Sequence, residues 1–246
     1  MRQASSACVS LRTGRYQPAA DPFRTTQAFR RRAVEKGAEV IQGVTVTGLT
    51  RSGTNWLVET SAGVFEAPKV VNAAGAWADR IAAILGEPVP LAVVAPMLMV
   101  TSRLPAFIKP VVILRGRKLS FKQLDNGTVV IGGGHLSTPY RDSNETVLDW
   151  EKLAMSTRTV WELFPAMHEA TIVRAWAGIE AYMPDGIPVV GKSSTSEGVF
   201  HQFGFSTHGF QLGPGTGAVM AELVATGSTN TPIDGLGIER FSTKSP

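Results

Sequence analysis

The chain has 246 residues, of which 43% are hydrophobic and 25 are glycine. This length and composition allow a sizeable core, in one large domain or two smaller ones, and suit an α/β enzyme better than a helical bundle or a disordered chain. The net charge is +4, but the basic residues are scattered along the chain. Their densest cluster, Arg30 to Arg32, falls on a predicted helix as a solvated face, so no nucleic-acid partner is predicted.

Cysteine and histidine usage argues against several kinds of site. The single cysteine, Cys8, cannot form an internal disulfide, which favours a reducing compartment. The four histidines lack metal-ligand spacing, so no metal site is predicted. No run of 18 apolar residues exists, and residues 1–18 lack the continuous apolar stretch of a secretory signal. The sequence therefore predicts a cytoplasmic protein without a transmembrane segment.

The first third of the chain alternates helix and strand signals. A helix is predicted over 25–36, ended by Gly37, and a strand over 38–49 with alternating β-branched residues. A hairpin follows, with its strands at 56–60 and 64–67. A short strand at 69–71 then leads through a turn of small residues into a helix over 76–85. This order predicts an α/β domain with a β-meander inserted in it.

The middle of the chain changes character after a cluster of prolines. Strand-like runs are predicted at 98–101, 111–114, 118–123 and 128–131. Asn126-Gly127 is a hairpin signal, because this pair readily takes positive φ in a two-residue turn. An amphipathic helix is predicted from about residue 144 to 164, and a strand over 171–182 that is interrupted at Gly178. The pattern predicts an antiparallel α+β domain inserted into the α/β domain.

The last third returns to α/β character, with strands predicted over 187–190 and 199–205. A glycine-rich turn, 204–217, leads into a helix that is predicted to begin at Pro214 and to end near Gly227. Backbone N–H groups at a helix N-terminus attract negative charge, so this turn predicts an anion or flavin-oxygen site. A tight strand-to-helix turn without a ligand is the alternative.

The turn of small residues, Asn72-Ala73-Ala74-Gly75-Ala76-Trp77, is similar in kind. Small residues at the carboxyl end of a strand let the backbone pass close to a ligand, at the crevice where open α/β sheets bind them. Close packing of the strand on the helix explains the same residues equally well. No hydrolase elbow, Walker loop or zinc-protease motif occurs in the sequence.

Four segments, in this order, resemble the D-amino-acid oxidase (DAO) superfamily of FAD-dependent oxidoreductases. They are Asp21 to Thr25, Val70 to Trp77, Pro184 to Gly191 and His208 to Gln211. Together they cover nearly all of residues 16–228. Within the superfamily, Trp176 to Glu180 and His208 to Gly215 most resemble the small (beta) subunits of opine and D-hydroxyproline dehydrogenases, which implies a hetero-oligomeric partner subunit.

The resemblance implies a fold and its division along the chain. An FAD-binding Rossmann-like domain of the glutathione-reductase type would occupy residues 16–92 and 184–230. An antiparallel α+β substrate domain would occupy residues 93–183, and residues 231–246 would form a tail. Residues 1–15 match no part of the family and stay unplaced.

The resemblance also implies a cofactor, FAD, and the residues that hold it. Val46 would meet the adenosine part of FAD through its backbone. The cofactor crevice and the flavin-facing turn would be formed by Ala73, Ala74, Gly75, Trp77, Gly209, Phe210, Gln211, Leu212 and Gly213. The implied reaction removes a hydride from the carbon that bears the amine, after which the imine is hydrolysed.

Glu180 departs from the family pattern. Many oxidases of the family place an arginine there, which clamps the substrate carboxylate through a bidentate pair. A glutamate would repel that carboxylate, so a cationic amine, an imino acid or an opine-like substrate fits better. Glu180, Tyr182 and His208 are the candidate pocket residues. A surface or ion-paired Glu180 is the alternative.

The second departure concerns the phosphates of FAD. Family members begin with a βαβ unit whose Gly-x-Gly-x-x-Gly motif cradles the pyrophosphate, and residues 1–15 contain no such motif. The sequence therefore predicts an N-terminally truncated chain with weakened FAD binding and exposed sheet edges. Two functions stay open: an impaired FAD-dependent amine oxidoreductase, or a non-catalytic subunit or inactive fragment that keeps a partner-binding surface.

Overall fold

The computed structural model describes residues 21–114 and 116–242, so the predictions for Cys8 and for residues 1–15 lie outside the described part of the chain. The chain forms two compact units. The central unit is Val94–Ile179, and the split unit comprises Pro22–Val93 together with the chain from Glu180 onward. The sequence had placed residues 180–183 with the middle domain, whereas the structure groups them with the split unit.

The first segment of the split unit contains two helices and four strands. They are α1 (Pro22–Glu35), β1 (Val46–Ser52), β2 (Asn55–Thr60), β3 (Gly63–Ala67), β4 (Val70–Asn72) and α2 (Ala78–Ile84), with a 3₁₀ helix at Gly75–Trp77 before α2. Helix α1 ends before Gly37, whose φ of 92° breaks the helix. Strands β1, β2 and β3 form the predicted antiparallel meander.

The strand predicted over 38–49 is wrong for its first eight residues. Only Val46 onward pairs with a neighbour, through the register Val46↔Thr60. Val40 and Ile41 stay 42% and 46% exposed. A strand needs a neighbouring strand to satisfy its backbone, and residues 38–45 have no such neighbour in the described part of the chain.

The central unit is an antiparallel sheet backed by one helix, as the sequence predicted. Its strands are β5 (Ala92–Thr101), β6 (Val112–Ile113), β7 (Ser120–Gln123), β8 (Val129–Gly132), β9 (Leu136–Tyr140), β10 (Glu145–Val147) and β11 (Ile172–Ala177). Helix α3 (Trp150–Leu163) and a 3₁₀ helix (Pro165–Glu169) precede β11. The strand order is β10-β9-β5-β8-β7-β6, and β11 also pairs with β5.

Helix α3 begins later than predicted. Residues 145–147 pair with β9 as strand β10, so the predicted start near residue 144 is wrong. The Asp149 side chain instead caps the helix by accepting a hydrogen bond from the Lys152 N–H at 3.0 Å. Leu153 and Val160 then pack against Phe121 and Ile131 of the sheet in a fully buried core.

The last segment of the split unit completes a second three-stranded sheet. It contains β12 (Glu180–Tyr182), β13 (Val189–Lys192), β14 (Val199–Phe203), α4 (Gly209–Thr226) and a 3₁₀ helix (Ile238–Phe241). The strand order is β13-β14-β4, in which β14 pairs antiparallel with β13 and parallel with β4. Phe203 packs with Ala78 of α2, while Phe200 packs with Val219 of α4. The strand is therefore covered on both faces, as in parallel α/β sheets.

Helix α4 begins five residues before the predicted Pro214. The Leu212 N–H already donates to the His208 carbonyl at 3.0 Å, so the first helical turn closes ahead of the proline. Pro214 lies inside the helix, where it removes one backbone hydrogen bond. As predicted, Gly227 ends the helix, with φ of 83°.

Candidate functional site

Two loops leave the small sheet at the same edge. Strands β4 and β14 run parallel, and His201 lies opposite Asn72 in their register. The loop after β4 (residues 73–77) and the loop after β14 (residues 204–208) therefore both emerge at the carboxyl end of a parallel strand. In open α/β sheets this is the edge at which ligands bind.

The loop after β4 presents backbone rather than side chains. Ala73, Ala74 and Gly75 are exposed, and Trp77 is half-buried. Gly75 takes φ of 54°, and a Cβ at that position would meet no atom within 4 Å. The structure thus brings four predicted cofactor residues together, with open space next to the loop backbone.

The N-terminus of α4 presents hydrogen-bond donors at the same edge. His208 is the N-cap residue, and its side chain makes no cap hydrogen bond. The first N–H groups of a helix lack an intrahelical acceptor, which leaves those of Gly209, Phe210 and Gln211 available. Phe210 and Leu212 are 46% and 39% exposed beside them. This is an anion-attracting end of a helix flanked by apolar side chains.

The loop between β14 and α4 is strained. Ser206 and Thr207 have φ of 49° and 75°, in the left-handed region that non-glycine residues seldom occupy. The loop is tied to β12, because the Ser206 N–H donates to the Ala181 carbonyl at 3.2 Å and the Met183 N–H donates to Ser206 Oγ at 3.0 Å. Such strain concentrates at functional sites, where the surroundings hold it in place.

Strand β12 brings two of the predicted pocket residues to this loop. Glu180 Oε2 is buried and has no hydrogen-bond partner in the described part of the chain. Burial raises the pKa of Glu180. Burial and the charge of Glu180 both raise the pKa of Tyr182, against a smaller opposite effect of its hydrogen bond with Thr207. Strand β12 also contacts the 3₁₀ helix Gly75–Trp77.

Not every predicted site residue lies at this edge, and some residues at the edge were not predicted. Val46 begins β1 in the meander sheet, so its role toward adenosine stays a prediction. Ser206, Thr207 and Asn72 hold the loops but were not predicted as site residues. An Asx residue before a loop of small residues is a signal that could have identified Asn72.

Comparison with curated proteins shows several relatives. The chain is 27% identical over 235 residues to mitochondrial sarcosine dehydrogenase of Mus musculus, which covers 90% of this chain and 26% of that protein. It is 28% identical over 214 residues to sarcosine oxidase subunit beta of Rhodobacter capsulatus, covering 87% of this chain and 50% of that one. The chain therefore spans a quarter to about half the length of these relatives.

Solved structures share the fold. L-Proline dehydrogenase from P. horikoshii matches with a TM-score of 0.83 and 30% identity, over 90% of this chain and 60% of that one. Glycine oxidase from Geobacillus kaustophilus matches with a TM-score of 0.79 and 22% identity, over 87% of this chain and 56% of that one.

No helix in the described ranges is long and apolar enough to cross a membrane. The family model DAO, FAD dependent oxidoreductase, matches residues 9–223, so the expectation that residues 1–15 match no part of the family is wrong for residues 9–15. The chain belongs to this family.

Proposed function

We propose that the chain forms part of an FAD-dependent oxidoreductase that oxidises the CH–NH group of an amino acid, an imino acid or an opine-like amine. One observation supports this most strongly: the loop 73–77, the N-terminus of α4 and the pair Glu180 and Tyr182 converge at the carboxyl ends of the parallel strands β4 and β14. In this proposal, residues 16–92 and 184–230 are the cofactor-binding domain, and residues 93–183 the substrate domain.

The residues at this edge fit a flavin. Gly75 leaves room for a cofactor to approach the loop backbone, and Cβ atoms at Gly213, Gly215 and Gly217 would likewise meet no atom within 4 Å. Gly209 to Gln211 would face the flavin with their N–H groups, which stabilise negative charge on the ring. When bound, the flavin supplies the redox chemistry as the hydride acceptor.

Glu180 supports an amine substrate. Its buried oxygen is an acceptor without a donor, and a substrate ammonium or imino N–H would supply that donor. A substrate carboxylate at the same place would add a second negative group and raise the pKa of Glu180 further. Tyr182 and the exposed His208 are the remaining side chains that would orient the substrate. The nearer kinship with opine and D-hydroxyproline dehydrogenases stays a prediction.

The visible spectrum of the purified chain, with and without added FAD, tests the proposal. Binding of FAD near one equivalent is expected, followed by bleaching of the flavin band when sarcosine, proline or an opine is added anaerobically. Glu180→Gln should weaken the response to amine and leave FAD binding unchanged, whereas Glu66→Gln on the exposed strand β3 should change neither. A folded chain that binds no FAD would refute the proposal for this chain.

A second candidate is a non-catalytic subunit or inactive fragment that binds a partner polypeptide. Helix α1 favours it, because the helix contains no buried residue and exposes Phe23 (73%), Phe29 (58%) and Val34 (49%). Exposed apolar surface of this kind marks interaction sites. A colourless, folded chain that gains a partner only while these three side chains are intact would support it. Phe23→Ser with Phe29→Ser tests this by co-purification.

A further inference from the structure

Three buried polar side chains form a continuous chain of hydrogen bonds inside the split unit. Glu87, His201 and Asn72 are 6%, 0% and 3% exposed. His201 Nε2 lies 3.0 Å from Glu87 Oε2, and His201 Nδ1 lies 3.3 Å from Asn72 Nδ2. Burying three such groups is costly unless each is fully hydrogen-bonded, so the direction of every bond in the chain matters.

Glu87 begins the chain as an ionised acceptor. Its carboxylate accepts hydrogen bonds from Ser193 Oγ at 2.6 Å, from Ser194 N at 2.6 Å and from Ser194 Oγ at 2.7 Å, besides that from His201. Burial would raise the pKa of Glu87, but these hydrogen bonds together outweigh it and lower the pKa. An ionised carboxylate can only accept, so His201 Nε2 must carry the proton.

The position of the proton on the His201 ring decides which atom of the Asn72 amide faces the ring. Burial is the largest influence on the His201 ring and lowers its pKa, against the hydrogen bond and the charge of Glu87, which raise it. The Asn72 Nδ2 that lies 3.3 Å from His201 Nδ1 also donates to the Ala78 carbonyl, so it meets the ring as a donor and Nδ1 accepts. With the proton on Nε2, Nδ1 is a bare acceptor, and the group that faces it must be the NH₂ of Asn72. The amide of Asn72 therefore has one orientation only.

Asn72 in turn holds the loop after β4. Its Nδ2 also donates to the Ala78 carbonyl at 2.9 Å, and its Oδ1 accepts from the Ala74 N–H at 3.3 Å. A flipped amide would lose both bonds and face the Ala74 N–H with a second donor. The side chain thus spans the loop from Ala74 to the start of α2.

We propose that Glu87 and His201 are positioning residues, which fix the Asn72 amide and through it the conformation of the Ala73–Trp77 loop. That this loop holds the cofactor rests on the proposed function. Neither side chain contacts a cofactor in this assignment. Both act through Asn72, in a buried relay that joins the chain after α2 to the ligand edge of the sheet.

Two variants of His201 separate positioning from simple packing. His201→Asn keeps an acceptor near the place of Nδ1 and loses the bond to Glu87, whereas His201→Gln keeps a donor toward Glu87 and loses the acceptor. Hydrogen exchange of the peptide that spans residues 73–77 should be roughly three- to tenfold faster in His201→Gln, as for one lost hydrogen bond. In His201→Asn it should lie between that rate and the wild-type rate, because the acceptor is kept but Glu87 no longer orients it. Equal exchange in the two variants would overturn the proposal.

Val199→Ala is the matched control. Val199 is buried in the same strand, opposite Val70, and packs in an apolar cluster with Leu49, Trp56 and Leu85. It should lower the melting temperature and leave exchange of residues 73–77 unchanged. If a His201 variant does not fold, nitrogen NMR of the wild-type ring decides: an Nε2–H tautomer supports the relay, and an Nδ1–H tautomer overturns it.

Flavin binding is measured separately from loop exchange. If the proposed function holds, His201→Gln should weaken FAD binding more than Val199→Ala does at matched melting temperature, and equal weakening would count against a positioning role. If the wild-type chain binds no FAD, the proposed function fails. In that case the exchange and tautomer results still decide whether Glu87 and His201 fix the loop.

Discussion

The core of the central unit and the ligand edge of the split unit are ordered by different forces. The central core is apolar, with Phe121 stacked on Phe164 at 4.5 Å between ring centroids and Phe107 tilted against both at 6.1 and 6.2 Å. The ligand edge of the split unit depends on polar side chains that bond to backbone, such as Asn72 and Ser206. Apolar burial sets how stable a unit is, whereas directional bonds set the shape of a loop.

Phe121→Ala would give the largest effect and tests the apolar half of this comparison. The ring is 0% exposed, so its removal should lower the free energy of unfolding of the central unit by about 3–5 kcal/mol. Chemical denaturation followed by tryptophan fluorescence measures it. The control is Ile113→Ala, at a side chain 66% exposed, which should change the free energy by less than about 0.5 kcal/mol. Similar losses in the two variants would contradict an apolar core centred on Phe121.

Much of the fold could be predicted, because apolar pattern and turn residues are local. The hairpin β2–β3, the interruption at Gly178 and the end of α4 at Gly227 all follow from the sequence. The two errors in strand assignment have one cause in common. Residues 38–45 and 145–147 carry ambiguous patterns, and whether such a segment forms a strand depends on a neighbour that is distant in sequence.

The site could be predicted only in its loops. Small residues at 73–75 and glycines around α4 are visible in the sequence as motifs. The hydrogen bond between Glu87 and His201 joins residues 114 positions apart, so no local sequence pattern predicts it. The left-handed conformations of Ser206 and Thr207 are equally hidden, since neither residue type requires positive φ. Directional bonds between distant elements therefore needed the structure.

Gly204→Ala tests how closely the ligand edge of the split unit is packed. Gly204 has φ of 73°, and a Cβ there would lie 2.5 Å from Met183 Cγ. Gly186 has a similar φ of 70°, but its Cβ would meet no atom within 4 Å. Both substitutions should cost about 1–2 kcal/mol in backbone strain, and Gly204→Ala about 1–3 kcal/mol more for overpacking.

Thermal unfolding of the two glycine variants measures the difference. Gly186→Ala acts as the control for backbone strain alone. If both variants unfold at the same temperature, the Met183 side chain can move aside at no cost. The loop 204–208 would then be less rigid than its hydrogen bonds to β12 suggest.

Glu180→Gln should have a smaller effect, which depends on pH. Because burial raises the pKa of Glu180, the folded state holds its proton to higher pH than the unfolded state. Its contribution to stability is therefore complete below the ordinary glutamate pKa and is lost as the pH rises through the folded pKa. The variant lacks this loss, so its melting temperature should exceed that of the wild type increasingly with pH.

Two measurements check this prediction. Melting curves of wild type and Glu180→Gln between pH 4 and pH 8 should diverge upward in pH, and a constant gap would contradict a raised pKa at Glu180. The titration of Tyr182, followed by ultraviolet absorbance with Tyr182→Phe as reference, should also move to lower pH in Glu180→Gln. The charge of Glu180 is one of the causes that raise the pKa of Tyr182.

Glu162→Gln should have the smallest effect, because it removes an exposed ion pair rather than a buried polar contact. Glu162 Oε2 lies 2.6 Å from Arg117 Nη1, but the two side chains are 50% and 41% exposed. An ion pair open to water contributes about 0.2–1 kcal/mol, and added salt reduces it further. Denaturation at low and high salt should show a small loss that disappears with salt. Glu87 carries the same charge, but it is buried and accepts hydrogen bonds from four donors. A loss at Glu162 above about 1 kcal/mol would therefore show that bond geometry, rather than burial, decides what a carboxylate contributes here.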